Sequence, residues 1–235
     1  MTAPARGLSA GRALLAALAD SARVLARGSA CVMAAEVLEP NPAHAFYARV
    51  GYSPVSWNAR LEADVALASP GQWPARIACP DDALAIAHLE ALLAERRRNA
   101  GDLRFDAPRP IDPSVVSAIA SHFAFESAAS LREPTTLVVL DETGIIRGAA
   151  SFTAHALEPP FAPMHRGLIG RFALDTACPA APLVRALIAL GCNLARSRGA
   201  SFIELTDLTA PGSELHDAAL ATGARAWSRV VTKIA

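Results

Sequence analysis

The chain has 235 residues, of which 52% are hydrophobic and 19% charged, with 22 basic and 22 acidic side chains. This zero balance argues against a nucleic acid or an anionic membrane as the main partner. The hydrophobic share excludes a largely disordered chain. No apolar run reaches the roughly 18 residues of a membrane-spanning helix, and the N-terminus lacks a secretory pattern. We therefore expect a cytoplasmic protein.

The first 66 residues alternate helical and extended patterns. Leucines at helical spacing indicate an amphipathic helix, and Asn41-Pro42 is a favourable start for a second one. Proline and glycine then indicate a linker. In chain order we predict a helix over 11–26, a strand over 31–37, a helix over 41–50, a strand over 55–61 and a linker over 67–75.

The remaining residues, 76–235, contain a longer series of the same kinds of element. A run of three arginines, 96–98, ends the first helix of this series and is interpreted as solvated. We predict strands over 76–78, 135–140, 145–156, 168–174, 201–205 and 227–234, and helices over 81–98, 183–194 and 213–220, with an irregular to helical segment over 102–133.

The two ends of the chain show the same succession of elements. Gly28 and Gly199 each follow a helix and precede a strand, and Gly51 and Gly223 each follow the next helix. One inserted residue reconciles the two spacings. We interpret this as an internal repeat of a helix–strand–helix–strand unit, the alternative being chance similarity between alanine-rich segments.

Small residues and arginines precede the first predicted helix, in the order Arg6-Gly7-Leu8-Ser9-Ala10-Gly11-Arg12. Backbone N–H groups at a helix N-terminus carry partial positive charge, and small side chains let a pyrophosphate approach them. The pattern predicts a phosphate-binding loop. An ordinary glycine- and serine-containing helix start is the alternative.

This stretch, together with the run from Asn41 to Tyr52, resembles the GNAT superfamily of N-acetyltransferases. The resemblance implies that acetyl-CoA is the co-substrate and that Arg6, Ser9 and Gly11 fall on the pyrophosphate loop, where Ser9 replaces a usual glycine. The cofactor-binding residues that it implies are Arg6, Gly7, Ser9, Ala10, Gly11, Arg12 and Asn41.

By the same resemblance, Tyr47 is the general acid that protonates the departing thiolate. A leaving thiolate does benefit from a nearby donor. Packing beside Phe46 would explain the tyrosine equally, and a helix-capping role would explain Asn41. Glu36, Glu204 and Asp207 lie on or near strands and are candidate bases for an amine.

The second region keeps the order of elements but departs from the motifs. Cys178 to Pro182 occupy the loop position, where Pro179 and Pro182 lack N–H donors, and Ala219 occupies the tyrosine position. None of the four cysteines belongs to a Cys-x-x-Cys pair, and no histidine cluster lies beside them. We therefore predict no metal site.

The order of elements predicts an α/β fold, and the resemblance implies a GNAT-like mixed, mostly antiparallel sheet flanked by helices. Residues 1–66 would form the C-terminal half of one module, 67–75 a linker and 76–235 a full but degenerate module. The predicted function is acetyl-CoA-dependent N-acetyl transfer to a small amine by direct attack. The alternative is a non-catalytic GNAT-like module for binding, regulation or assembly. Because so short a first segment cannot cover its own strands, we expect either that the true start lies upstream or that the segment packs on the second module or on another chain, and a homodimer stays open.

Overall fold

The structure is a computed structural model that describes residues 4–26, 31–65, 67, 73–102, 104–105, 111–126, 135–156 and 165–234. Fourteen helices and strands and one 3₁₀ turn (Pro80–Asp82) occur in these ranges. In chain order they are α1 (Pro4–Leu25), β1 (Val32–Leu38), α2 (Ala43–Arg49), β2 (Ser53–Glu62), β3 (Ala75–Ile77), α3 (Ala83–Asn99), α4 (Pro113–Glu126), β4 (Thr135–Leu140), β5 (Ile146–Ala156), β6 (His165–Leu174), α5 (Ala180–Ser197), β7 (Phe202–Leu208), α6 (Glu214–Leu220) and β8 (Arg225–Ile234).

The strands form one eight-stranded sheet in the order β1-β8-β2-β7-β6-β5-β4-β3. Neighbouring strands are antiparallel except β6 and β7, which run parallel. The predicted mixed, mostly antiparallel α/β fold is therefore confirmed.

Four strands at one end of the sheet come alternately from the two ends of the chain. Strand β8 lies between β1 and β2, and β2 lies between β8 and β7. The stretches 4–62 and 180–234 each run helix, strand, helix, strand. The last strand of each stretch, β2 or β8, lies between the two strands of the other stretch. We call these stretches the first half and the second half. In the described sheet the two strands of the first half never pair with each other.

The main core lies between the sheet and α5. Nine residues of α5 are buried, and they face fully buried side chains of β4 to β7, including Phe152, Phe172 and Ile203. Burying such side chains contributes roughly 1.5–3 kcal/mol each. A second cluster joins α3 to the other face of β4 and β5, and a third, smaller one joins Val37 and Tyr52 to Val231 under α1 and α2.

The start of α1 differs from the sequence prediction. The helix begins at Pro4 rather than at Gly11, so the backbone from Arg6 to Gly11 is helical and does not form the predicted loop. Proline suits a first helical turn, and the alanines, leucines and arginines that follow favour helix enough to absorb about 1 kcal/mol for each glycine. The side chains of residues 4–9 lie outside the described part.

The predicted linker is partly tied to the core. Leu67 and Trp73 pack against the main cluster, and Ala75 is already the first residue of β3. Residues 66 and 68–72 lie outside the described ranges, and the division into 1–66 and 76–235 stays a prediction. Within the described ranges, no helix combines the length and apolarity needed to cross a bilayer.

Candidate functional site

A cavity of about 340 Å³ lies between α1 and the sheet in the first half. Its apolar wall includes Met33 on β1 and the buried Tyr52. Among the predicted cofactor residues with described side chains, Arg12 lines this cavity, whereas Ala10 is exposed and Gly11 half-buried.

The charged rim of this cavity is mainly positive. Arg12, Arg23 and Lys233 line it, opposed by Asp20, which is 2.7 Å from Arg23 in an exposed ion pair. Lys233 Nζ donates to the Val50 carbonyl at 2.8 Å. An anion with an apolar body suits these walls better than a cation does.

Gly11 is placed by packing. An added Cβ at this position would lie 3.2 Å from Cζ of Phe46, so the glycine lets α1 approach α2 closely. This contact explains the glycine without a ligand, which the sequence could not reveal because Phe46 is distant along the chain.

Tyr47 lies on α2 between two aromatic rings. It makes edge-to-face contacts with Phe46 at 5.5 Å and with Tyr52 at 5.2 Å. Burial, and then the proximity of Tyr47, raise the pKa of Tyr52. The Tyr52 hydroxyl contacts Met33 Sδ at 3.8 Å. Tyr47 is half-exposed, so its position suits both packing and contact with a ligand at the surface.

Asn41 caps α2. Its Oδ1 accepts a hydrogen bond from the Ala43 amide at 2.8 Å. In the second half, Ser213 Oγ accepts from the His216 amide at the start of α6. The two halves thus start this helix with the same kind of contact, and capping alone accounts for Asn41.

The second half contains a separate cleft where the parallel strands part. Strands β6 and β7 are paired as far as Ile169 and Leu205. Beyond that point a cavity of about 260 Å³ lies among the ends of β6 and β7, the C-terminal turns of α3 and the starts of α5 and α6. We call it the second-half cavity.

The second-half cavity carries charges of both signs, because Arg96 and Arg97 line it together with Asp175 and Glu214. Pro179 is the N-cap of α5 and Pro182 lies in its first turn, so neither offers an N–H. Asp175 lines the cavity, and its pKa is lowered by hydrogen bonding from the Ala177 amide and by Arg147, whose guanidinium is 2.8 Å away. A fixed carboxylate repels a phosphate group.

The three candidate bases lie near one another on one face of the sheet. Asn58 Nδ2 donates to Glu36 Oε1 at 2.9 Å, and Asn58 Oδ1 accepts from the Asp207 amide at 3.2 Å. Burial raises the pKa of Glu204, opposed by Arg166 at 2.8 Å and supported by Glu36.

The face of β1 that carries Glu36 is opposite to the one that packs on Tyr47. Val37 belongs to the cluster that contains Tyr47, and successive strand residues point to opposite faces. Strand β1 is also the last strand of the described sheet. Glu36 Oε1 also accepts a hydrogen bond from Ser228 Oγ on β8, so this oxygen lies toward β8 and β2, while the residue itself is exposed.

A buried polar network that the sequence did not indicate lies between the two halves. Arg97, interpreted as solvated, is only 3% exposed, and its Nη1 donates to the Val55 carbonyl of β2 at 3.3 Å. Asp102 lies 3.8 Å from Arg97 and 2.8 Å from Arg104, and Arg104 also pairs with Asp207 at 3.1 Å. Helical periodicity was the available signal, because Leu93 and Arg97 lie on one face of α3.

Asp207 has a backbone φ of 58°, in the left-handed region that costs a non-glycine residue about 1–3 kcal/mol. The Asn58 and Arg104 contacts hold it in this conformation.

Among the described residues, no group of three or more histidine, cysteine or acidic side chains could hold a metal ion.

The chain matches no known protein-family model and no curated protein. Several solved structures, in contrast, are similar to this chain in fold. A tandem GNAT protein from the clavulanic acid biosynthesis pathway is 17% identical, with a TM-score of 0.57 over 95% of this chain and 69% of that one. A GCN5-related N-acetyltransferase from Sphaerobacter thermophilus is 15% identical, with a TM-score of 0.52 over 88% of this chain and 60% of that one.

The chain therefore has the GNAT fold, as the sequence motifs predicted. The second of these structures is matched over less than two thirds of its own length.

Proposed function

We propose that the protein transfers an acetyl group from acetyl-CoA to a small amine, and that the first half holds the coenzyme. The GNAT fold supports acyl transfer as the reaction class. The acetyl donor and the amine acceptor come from the sequence motifs around Arg6–Arg12 and Asn41–Tyr52.

One observation carries the proposal. The cavity beside α1 is lined by Arg12, a residue implied on sequence grounds, and by two further cations that the sequence did not point to, Arg23 and Lys233. Coenzyme A is a polyanion with an extended, largely apolar arm, and both properties match these walls. The helical backbone over Arg6 to Gly11 makes cationic side chains, rather than a loop of amides, the main phosphate ligands in this proposal.

The proposed chemistry takes place at the edge of β1. Glu36, on one face, accepts the proton that the attacking ammonium must lose. The free amine then attacks the thioester carbonyl, the carbon–sulfur bond breaks, and Tyr47, on the other face, gives its proton to the departing thiolate. The protons balance as follows: the ammonium nitrogen loses two in becoming the amide, one to Glu36 before the attack and one to solvent as the carbon–sulfur bond breaks. The thiol gains one from Tyr47, and solvent returns a proton to the tyrosine.

A non-catalytic module is the second candidate. The observation in its favour is that β7 has the parallel neighbour β6, whereas β1 has no strand on its outer side in the described sheet. A coenzyme arm would then have one strand edge to follow instead of two, which suits weaker binding.

Calorimetry with coenzyme A and acetyl-CoA on the whole chain tests the site. Arg12→Ala should weaken binding by roughly tenfold, the scale of one charged hydrogen bond. Arg185→Ala on α5 is the matched control, because this exposed arginine is outside both cavities. Equal affinities for the two variants would reject the proposed location, and an absence of binding would favour the non-catalytic module.

Thiol release from acetyl-CoA, followed over a panel of small amines, tests catalysis. Tyr47→Phe should lower kcat by roughly 100-fold without changing coenzyme affinity. Unchanged turnover together with a lower melting temperature would instead make Tyr47 a packing residue beside Phe46 and Tyr52.

A further inference from the structure

We infer that Tyr52 is a second catalytic tyrosine of the proposed reaction, and that its hydroxyl donates a hydrogen bond to the thioester carbonyl of the acyl donor. The inference rests on the proposed function and deepens it, because it names the group that holds the carbonyl for attack. The sequence motifs pointed to Tyr47 alone.

Tyr52 is the tyrosine that forms part of the cavity beside α1. The chain has two tyrosines. Tyr52, between α2 and β2, lines the cavity together with Met33, whereas Tyr47 does not belong to its lining. The two rings meet edge to face, with 5.2 Å between their centroids, so Tyr47 lies one ring away from the cavity wall. A ligand held in the cavity therefore contacts Tyr52 directly.

The hydroxyl of Tyr52 has only a weak partner. It contacts Met33 Sδ at 3.8 Å, and the described residues offer it no other hydrogen bond. A thioether is a weak acceptor, whereas O–H···O bonds in proteins are about 2.7–2.8 Å long. Tyr52 is only 6% exposed, and a buried phenol normally has a good acceptor. Because Met33 also lines the cavity, a ligand oxygen placed there is a better acceptor than the sulfur.

The surroundings of the hydroxyl indicate which ligand oxygen this is. Arg12 and Arg23 on α1 and Lys233 on β8 attract the phosphates of the acyl donor. Tyr52 instead packs in a small apolar cluster under α1 and α2, where a neutral group is desolvated at a lower cost than a phosphate. The thioester is the neutral, reacting end of the donor, so we assign its carbonyl oxygen to Tyr52.

A donor at this oxygen acts on the transition state. As the amine attacks, the carbonyl oxygen takes up negative charge, and the hydrogen bond from Tyr52 strengthens in its apolar surroundings. When the carbon–sulfur bond breaks, the oxygen becomes the carbonyl of the amide, and Tyr52 has kept its proton. Burial, and then the proximity of Tyr47, raise the pKa of Tyr52, which keeps it protonated at neutral pH. Tyr47 gives its proton to the sulfur, which is bonded to the same carbon.

Calorimetry on the whole chain, in the absence of an amine, tests the contact. Tyr52→Phe removes only the hydroxyl, so acetyl-CoA should bind about three- to tenfold more weakly. Coenzyme A, which has no thioester carbonyl, should bind as it does to the wild type. Tyr47→Phe makes the same change one ring away and should leave both affinities unchanged. An equal loss for the two ligands would place the hydroxyl on the coenzyme arm and overturn the assignment, as would no loss for either.

The vibration of the thioester carbonyl gives a direct signature. With acetyl-CoA that is isotope-labelled at this carbon, binding to the wild type should lower the carbonyl stretching frequency, because a hydrogen bond weakens the C=O bond. The shift should disappear in Tyr52→Phe and persist in Tyr47→Phe, and Tyr52→Phe should lower kcat by roughly 100-fold in the thiol-release assay. The same frequency in all three proteins would overturn the inference, since packing of the Tyr52 ring does not predict any loss of the shift.

Failure of this inference and failure of the proposed function give different results. If the wild type binds neither ligand, the proposed coenzyme site is wrong and the role of Tyr52 falls with it. If the wild type binds both and Arg12→Ala weakens them, while Tyr52→Phe treats acetyl-CoA and coenzyme A alike, the site stands and only the role of Tyr52 is overturned.

Discussion

Helices α1 and α5 occupy corresponding places in the two halves but differ sharply in burial. In α5, nine residues are buried against the sheet. In α1, Leu14 and Leu18 are 63% and 49% exposed, and the half-buried positions form one narrow stripe. The same order of elements therefore produces a core helix in one half and a surface helix in the other.

The difference follows from the strands beneath each helix. Helix α5 covers β4 to β7, whereas α1 lies over the end of the described sheet, where β1 is the last strand. Amphipathic pattern predicts which side of a helix is apolar. How much of that side is buried depends on how many strands lie under it.

The largest expected effect is loss of the first half when it is separated from the second. Strands β1 and β2 hydrogen-bond with β8 and β7 and not with each other. A chain of residues 1–70 should therefore show no cooperative unfolding transition and no protected strand amides in hydrogen exchange. A cooperative transition from the monomeric fragment would mean that the half is self-sufficient.

The next effect concerns the polar network that joins the halves. Asp102→Asn removes one of the two carboxylates that act on Arg97, the other being Asp207, and Arg97 stays buried beside the Val55 carbonyl. We expect the free energy of unfolding in urea to fall by about 1–3 kcal/mol, the cost of losing a buried charged hydrogen-bond partner while Asp207 still acts on Arg97. Asp64→Asn, at an exposed position, should change it by less than about 0.5 kcal/mol. A similar small change for both would show that the network does not hold Arg97.

Truncation of one leucine in each helix measures the contrast directly. Leu187 on α5 is 0% exposed, so Leu187→Ala should lower the free energy of unfolding by about 2–5 kcal/mol. Leu14→Ala on α1 should stay within about 0.5 kcal/mol. If the two losses were comparable in chemical denaturation, α1 would be covered in solution by something beyond the described chain.

Replacing one glycine by alanine in each helix tests the same contrast, with a smaller expected change in stability. A Cβ at Gly191 on α5 would lie 2.2 Å from Cδ1 of the fully buried Ile169, so Gly191→Ala should destabilise by about 1–3 kcal/mol. At Gly11 the contact is 3.2 Å from a half-exposed Phe46 ring that can move. There the gain in helix propensity, up to about 1 kcal/mol, should leave the melting temperature nearly unchanged or raised. A matching loss at Gly11 would show that α1 and α2 are rigidly packed.

The smallest expected effect is a loss of unfolding free energy at low pH, and it comes from the ion pair between Asp82 and Arg76. Two hydrogen bonds from Arg76, at 2.6 and 2.8 Å, lower the pKa of Asp82 below its ordinary value. Stability from this carboxylate is present above the unfolded pKa, about 3.9, and is lost as pH falls through the lowered folded value. We expect a loss of roughly 1 kcal/mol, because Arg76 is partly exposed.

Comparison of acid unfolding curves isolates this contribution. Asp82→Asn should remove it at neutral pH and flatten the curve below about pH 4. Asp81→Asn, at the exposed neighbouring position, should leave the curve unchanged. Identical curves for the two variants would exclude the Arg76 pair as the cause.

Sequence alone predicted most elements, because apolar periodicity is local. It also predicted that the first half needs other strands, but it could not predict which ones. The position of β8 between β1 and β2 depends on contacts between residues far apart along the chain, such as Val32 and Ile234. Periodicity carries no information on such pairing.

Prediction of the site residues has the same limit, because a local pattern does not show which distant residues come together. Arg12 was proposed from its local motif, whereas Lys233, which lines the same cavity, belongs to the last strand. Arg97 was interpreted as solvated because it lies in a run of arginines. Its partner Asp102 and the Val55 carbonyl come together through tertiary packing alone. The helical start of α1 was missed because glycine and serine are common both in loops and in first helical turns.

The position of β8 has a consequence for how the protein is made. This strand, Arg225–Ile234, follows β2 by about 170 residues along the chain, yet it must enter between β1 and β2, which are synthesised before it. At about 5–20 residues per second, β1 and β2 wait for many seconds with their backbone groups unpaired. Such high contact order slows folding and exposes strand edges to aggregation. We therefore expect the nascent chain to depend on chaperones until β8 has been synthesised.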